Sequence, residues 1–349
     1  MADALTRIRR IAREVRREFV PDTRVDIFEV RTRTVDGVPV VNGQTTVPAA
    51  ADTFRARLAQ LGVPVKIRLR LLPDPELGPR AEALIGAPIA PVYRRPTMNS
   101  TQLSQYVLGH RVTLLSRKAR FWRIRGEDRH VGWLHRGYLV RGEGGWALAW
   151  ERADGGEPMV SLGAELHDDD GLTFARLPWG SRVLRVAGGR ILLPDGRTGV
   201  VGGGEVVPVD RMADRFPASG ESIVRTARRW MGAPYLWGGV TPNGVDCSGL
   251  IQSVFWIHGL ALPRDSDMQA RVGARLDPGA GFERLRAGDL LFFAERNRVN
   301  HVAMSIGGAR IIHAAASNGG VSMNDLAGDL DLEVWLRQVL HVARRLLPD

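Results

Sequence analysis

A single cysteine, Cys247, stands in a chain of 349 residues. One thiol closes no internal disulfide and builds no cysteine metal site, so neither cross-link can hold this fold together. Its sulfur is left with a place in a core or with work as a nucleophile. The neighbouring residues favour the second. A glycine-rich loop, Gly238-Gly239-Val240-Thr241-Pro242-Asn243-Gly244-Val245, runs into Asp246-Cys247-Ser248-Gly249. Leu250, Ile251, Val254 and Phe255 then follow at helical spacing. The sulfur is therefore expected at a helix start, where unpaired N–H groups and the macrodipole favour a thiolate.

The length predicts two to four domains. Apolar residues make up 44% and charged residues 25%, the balance of a globular protein. No apolar run reaches the roughly 18 residues of a membrane span, so none is expected. The formal charge of +10 is built from arginine, since Lys66 and Lys118 are the only lysines among 48 basic residues. The arginines are spread along the whole chain with no nucleic-acid motif beside them, so no nucleic-acid partner is expected.

Leu5, Ile8, Ala12, Val15 and Phe19 fall at helical spacing behind Arg7, Arg9, Arg10, Arg13, Arg16 and Arg17. That is an amphipathic helix with a basic outer face, expected to dock on its own domain. No apolar h-region or cleavage site follows it, and a cytoplasmic location is expected. Residues 1–80 read as a small α+β unit with strands near Val25 to Arg31, Val38 to Val40 and Val65 to Leu71. Asp36-Gly37 is a turn, and a helix through Phe54, Leu58 and Leu61 stops near Gly62. From residue 84 to 210, glycine and tryptophan punctuate short alternating runs. The order strand, strand, turn, strand occurs twice, which predicts two small β barrels over 84–143 and 144–210. Residues 210–220 read as a linker, and residues 218–349 hold the cysteine segment.

A cysteine nucleophile needs a base and a group to orient that base. Of the eight histidines, four follow Cys247. His258 lies three turns along the same helix and cannot reach the sulfur. His341 reads as a packing or surface residue. His301 and His313 lie on two strands joined at Gly307-Gly308, a hairpin with its midpoint at residue 307. That register puts the two rings opposite one another on one face, and a one-residue slip would separate them. The expected chemistry follows. His301 takes the thiol proton and holds the thiolate as an ion pair, while His313 bonds the far nitrogen of His301. The Cys247 amide is a candidate oxyanion donor. Zinc held by Cys247, His301 and His313 is a poorer reading, because no second thiol and no His-x-x-x-His accompanies them. No cofactor or metal is expected.

The segments Gly232-Ala233-Pro234-Tyr235-Leu236-Trp237-Gly238-Gly239 and Asp246-Cys247-Ser248-Gly249-Leu250 resemble the NlpC/P60 cysteine peptidases. So do Leu262-Pro263-Arg264-Asp265-Ser266, Ala287 to Phe293, and His301-Val302-Ala303, in order over about residues 218 to 345. The resemblance implies an α+β chain: a papain-like catalytic domain preceded by two SH3-like β barrels and the N-terminal α+β unit. It implies Cys247 as nucleophile, His301 as base, His313 as the polar third residue, and Tyr235 lining the site near the oxyanion. With two barrels in front, the chain is similar to the γ-D-glutamyl-L-diamino acid endopeptidases of wall-peptide recycling. Their partners are cell-wall stem peptides with a free N-terminal L-alanine.

By that resemblance Asp246 binds the amine, and Ser248 and Ser266 are further substrate contacts. Tyr138 matches a tyrosine of the first barrel that reaches the amine end, and Gln102 stands where the group has a glutamate. A neutral amide there gives up a charge-assisted bond, typically about 1.5–3 kcal/mol. Two alternatives stay open: a hydrolase of intact wall or another amide, and a non-catalytic wall-binding protein. Oligomeric state is not legible.

Overall fold

A computed structural model describes residues 2–142 and 144–347, so Met1, Glu143, Pro348 and Asp349, at the edges of three expected domains, lie outside the described residues. The chain opens with α1 (Ala2–Phe19), β1 (Phe28–Val35), β2 (Val38–Thr45), α2 (Pro48–Ala59) and β3 (Lys66–Leu71). β1 and β2 form an antiparallel hairpin, and β2 and β3 pair in parallel across α2. Asp36 and Gly37 both take positive φ in the hairpin turn, the conformation that a two-residue connection between right-twisted strands requires. Ile8, Ile11 and Val15 of α1 are buried against Phe54 and Leu58 of α2, so the apolar stripe of the basic helix is spent on its own unit.

Seven strands follow: β4 (Glu82–Ile85), β5 (Ile89–Tyr93), β6 (Gln102–Val107), β7 (Arg111–Lys118), β8 (Phe121–Gly126), β9 (Val131–His135) and β10 (Leu139–Val140). They form one antiparallel sheet in the order β10-β4-β7-β8-β9-β5-β6. Strands β4 to β9 all send side chains into a single cluster that holds Ile85, Val92, Tyr106, Leu114, Trp122, Ile124 and Leu134, so the sheet curls around it. After α3 (Trp146–Glu151) comes a second such sheet: β11 (Glu157–Ser161), β12 (Glu165–His167), β13 (Thr173–Arg176), β14 (Arg182–Arg185), β15 (Ile191–Leu192), β16 (Thr198–Gly203) and β17 (Val206–Pro208). It has its own core of Met159, Leu166, Leu177, Val183, Ile191 and Leu193.

The stretch expected as a linker is more ordered than its Pro, Ser and Gly content suggests. It forms α4 (Met212–Arg215), and Phe216 is buried with Val160, Val207 and Ile257 between the second sheet and the last unit. A local turn signal does not reveal an apolar side chain that packs across domains.

The last unit begins with α5 (Gly220–Arg228), whose N-cap Ser219 accepts the Ser222 N–H. The short hairpin β18 (Val240–Thr241) and β19 (Gly244–Val245) precedes α6 (Cys247–Ile257) and α7 (Ser266–Gln269). Then come β20 (Ala274–Leu276), β21 (Leu290–Glu295), β22 (Arg298–Gly307), β23 (Arg310–Ala315), β24 (Gly320–Asp325), α8 (Asp331–Val339) and β25 (Leu340–Arg345). Six strands make one sheet in the order β20-β25-β21-β22-β23-β24. Strand alternation divides its side chains. Leu290, Phe292, Val302, Met304, Ile312 and Ala314 face α5 and α6, and Leu291, Phe293, Ala303 and Ile311 face α8. Among the described residues no helix is long and apolar enough to cross a membrane.

Charge pairs lock the units together. Arg24 binds Asp267 through both oxygens, at 2.5 and 2.8 Å, tying the N-terminal unit to α7. Arg182 binds Glu127 through both oxygens at 2.6 Å, joining the two curled sheets. Beside that pair, His110 Nε2 lies 3.0 Å from the Gly180 carbonyl, an acceptor, which fixes the proton of the neutral ring on that nitrogen. Burial, with the Arg182 charge adding to it, pulls the His110 imidazole down to about 4.

An imidazole pulled below its unfolded value adds stability above about pH 6.5, and that stability is lost as the pH falls toward 4. Urea unfolding of the wild type should therefore weaken on acidification through that window, more steeply than for His110→Gln. Parallel pH curves for the two proteins would contradict this.

Candidate active site

Asp246 organises the start of α6. Its Oδ1 accepts the Gly249 N–H at 2.7 Å as N-cap, and its Oδ2 accepts the Gly238 N–H at 2.8 Å. Gly238 has φ +78°, and a Cβ on Gly249 would sit 2.1 Å from the Gly239 carbonyl oxygen, so glycine is needed at both places. Cys247 opens the helix and is buried, 7% exposed. The backbone N–H groups of Val302 and Ser248 lie beside its sulfur and favour the thiolate. Its own N–H, first of the helix, has no acceptor among the described residues and can donate to a developing oxyanion.

The contact with Val302 brings the sulfur to the residue that follows His301. β22 and β23 pair only from Gly307–Arg310 to Met304–Ile312, so both strands run past the end of their ladder at this point. The two histidines bridge that opening: His301 Nε2 lies 2.7 Å from His313 Nδ1, with ring centroids 5.0 Å apart. The expected register differs by two residues. The turn falls at Gly308-Ala309, beyond residue 307, and a bulge between Ser305 and Gly307 takes back one residue of that offset, so the rings meet diagonally and not directly across the ladder. A shift of two preserves the face, where a shift of one would have lost it. Phe293, directly opposite His301, packs on the same ring at 5.6 Å.

The electrostatics of the resting pair also differ from the expectation. Burial, then the Asp246 charge, pushes the Cys247 thiol up to about 12, outweighing the two N–H donors. Burial, then His313, pulls His301 down to about 3. Burial thus favours the neutral thiol and the neutral imidazole in the closed, substrate-free site. Burial and the nearby Cys247 likewise raise the Tyr235 phenol.

A cleft of about 1190 Å³ runs past Tyr235, Trp237, Asp246, Cys247, Ser248 and Ser266. Its far walls come from other units: Thr23, Arg24 and Glu29 from the N-terminal unit, and Leu103, His130 and Trp133 from the first sheet. Two expected contacts fall elsewhere. Tyr138 does not line the cleft; it sits in a turn after β9, packed on the first sheet's core beside His135. Gln102 donates from Nε2 to the Trp237 carbonyl at 2.9 Å and braces the glycine loop from behind. Both belong to the first curled-sheet unit as expected, Gln102 at the start of β6 and Tyr138 in the turn before β10, but neither is among the cleft-lining residues.

Asp246 also differs from its expected role. Arg264, 2% exposed, binds it through both oxygens at 3.0 and 2.7 Å, so its charge is already compensated. Ser248 accepts from Arg264 at 2.9 Å and donates to Asp246 at 3.2 Å, so it too is part of this buried network. Sequence reasoning passed over Arg264 as a partner, although a lone arginine in an otherwise apolar and turn-forming segment was the available signal. It also passed over Glu29. Burial raises that carboxyl, but Arg123 at 2.7 Å and Gln44 at 2.9 Å hold it below its usual range. Among the described residues no group of His, Cys, Asp or Glu is arranged to hold a metal.

Residues 232–344 match the model of the NlpC/P60 family. The chain is 35% identical over 121 residues to the γ-D-glutamyl-L-lysine dipeptidyl-peptidase of Bacillus subtilis, covering 32% of this chain and 40% of that protein. It is 28% identical over 243 residues to the protein of the same name from Bacillus cereus, covering 63% of this chain and 69% of that one. Thus the chain matches less than half the length of the first relative and about two thirds of the second. A solved NlpC/P60 structure from Bacillus cereus superposes with a TM-score of 0.63 at 23% identity, covering 76% of this chain and all of that one.

Two outcomes test this site. Arg264→Leu leaves the Asp246 carboxylate buried and unpaired, and should cost about 3–5 kcal/mol in urea unfolding. Arg264→Leu with Asp246→Asn should cost less than the single change. Cys247 alkylation by iodoacetamide should rise with pH and show no plateau from about pH 6 to 9, because the thiolate is scarce throughout. A plateau near neutral pH would show a resting ion pair.

Proposed function

We propose that this chain, which carries an NlpC/P60 cysteine peptidase domain over residues 232–344, is an endopeptidase that hydrolyses the bond between γ-D-Glu and a diamino acid in cell-wall stem peptides. The observation that supports this reading is Cys247 lining the cleft at the start of α6, with Val302 beside its sulfur and the neighbouring His301 bonded to His313 at 2.7 Å. Relatives named for γ-D-glutamyl-L-lysine cleavage support the substrate class.

The chemistry follows from the neutral resting pair. As the γ-carbonyl carbon approaches, the Cys247 proton passes to His301 and the sulfur forms the new S–C bond. The carbonyl oxygen takes the electron pair and lies toward the Cys247 N–H, with the raised Tyr235 phenol close by as a donor. The C–N bond breaks, and protonated His301 returns its proton to the leaving amine. Water, deprotonated by His301, then opens the thioester to release the γ-carboxylate and the thiol. His313 holds the His301 ring in place throughout.

The two curled sheets are read here as SH3-like barrels, in support of which each is a short-stranded antiparallel sheet around its own core. The first of them and the N-terminal unit wall one end of the cleft, which supports selection of stems with a free N-terminal L-Ala. A stem joined to sugar would meet Trp133, His130 and Arg24 in its path. Asp246 is spent on Arg264, so a substrate amine would meet Glu29, Asp265 and Asp267 at that end. Ser266 is buried at the start of α7 and lines the cleft between them and Cys247.

The test is incubation with L-Ala-γ-D-Glu-diamino acid peptides, read by mass spectrometry. Wild type should release L-Ala-D-Glu, and Cys247→Ala should fall to background, a loss of several orders of magnitude. Digestion of purified sacculi without turnover of free stems would move the function to intact wall. Binding without cleavage of either would leave a wall-binding protein.

A further inference from the structure

We propose that Asn324 and Glu333 are positioning residues that set the tautomers of both site histidines, and so decide which nitrogen of His301 receives the Cys247 proton. The inference rests on the peptidase reading above and concerns the same site.

Glu333 lies in the first turn of α8 and is buried. Its Oε1 accepts the Asp325 N–H at 2.8 Å, and its Oε2 accepts the Leu330 N–H at 3.4 Å. A carboxylate offers acceptors only. The Asn324 amide, 3.2 Å from Oε1, must therefore present its Nδ2 to Glu333. That turns Asn324 Oδ1 toward His313, whose Nε2 is 2.9 Å away. A carbonyl oxygen also only accepts, so His313 Nε2 carries the proton.

A neutral imidazole has a single N–H. His313 Nδ1 is then a lone pair, and His301 Nε2 at 2.7 Å must donate to it. His301 Nδ1 is left as the free lone pair. Every step follows from which atoms can donate, beginning at the Glu333 carboxylate, which cannot.

Three further observations fit this direction. Burial lowers both imidazoles, so the neutral tautomers are the ones that matter at neutral pH. The backbone N–H of Asp325 holds the Glu333 carboxyl below its usual value, which disfavours the protonated acid that a flipped Asn324 would need. Asn318 Nδ2 lies 2.7 Å from Asn324 Oδ1 and supplies a second donor to that carbonyl. Its 3.3 Å approach to His313 Nε2 sets donor against donor and is no bond in this arrangement. Space is kept for the carboxylate as well: a Cβ on Gly328 would sit 2.1 Å from Glu333 Oε2.

Imidazole ¹⁵N NMR on the full chain tests this directly. In the wild type near neutral pH, His301 and His313 should both appear as neutral Nε2–H tautomers. An Nδ1–H form of His313 there overturns the proposal, and that result needs no variant to fold. In Asn324→Leu, His313 should populate the Nδ1–H form, and kcat on stem peptides should drop about tenfold or more with KM within about twofold. Unchanged tautomers in folded Asn324→Leu also overturn it. Glu333→Leu added to Asn324→Leu should lower kcat no further, because Glu333 acts through Asn324; additive losses in kcat count against it. The NMR reading needs no turnover. If wild type fails to cut stem peptides, the substrate reading falls while the tautomers are still decided.

Discussion

Arg264 carries a guanidinium into the interior and spends it on Asp246, with a further bond from Nε to Ser104 of the first sheet at 2.9 Å. The rest of the site is arranged around this pair. Asp246 in turn holds the Gly238 loop and caps α6, and Ser248 bridges the two charges. One ion pair thereby fixes the loop, the start of the cysteine helix and the first sheet relative to each other. A buried pair of this kind adds little net stability, because desolvation offsets the attraction. Its value here is geometric. Removing either partner leaves a charge in a medium that cannot hold it, so the arrangement is kept whole or lost.

The same burial governs the chemistry. A water-poor floor pushes the thiol and the imidazole toward their neutral forms. The donors that stabilise charge, the Cys247 N–H and the N–H groups at the sulfur, are already in place and need no rearrangement. On the far side of the sheet the line through His313 and Asn324 ends on Glu333, so the helix α8 is coupled to the site without touching the cleft.

The units ahead of residues 232–344, the part that matches the NlpC/P60 model, act through position. The N-terminal unit reaches α7 through Arg24, and the first sheet reaches the glycine loop through Gln102 and Gln105. Neither contact is predicted by the local pattern of either partner. Together they place residues of two other units in the wall of the Cys247 cleft, which is a property of the assembled chain and of no single domain.

The sequence by itself determined the chemistry-bearing set and the local scaffolds. Glycines before Cys247, an apolar helix after it, and two histidines in one hairpin are short-range signals, each written within about a dozen residues. The alternation in Leu290 to Phe293 and Val302 to Met304 was legible for the same reason. What only the tertiary structure decided is everything that depends on partners far along the chain. Tyr138 and Gln102 belong to the expected unit but lie away from the cleft, because which of its residues meet the cleft is set by how the whole unit docks. The two-residue shift between the histidines came from where the turn falls and from a bulge beside it, neither of which composition marks. The resemblance implies Asp246 as the amine-binding carboxylate, and only the fold brings Arg264, eighteen positions later, against it in the interior. Charge and burial belong to neighbourhoods in space, and a linear order specifies those only once the chain has folded.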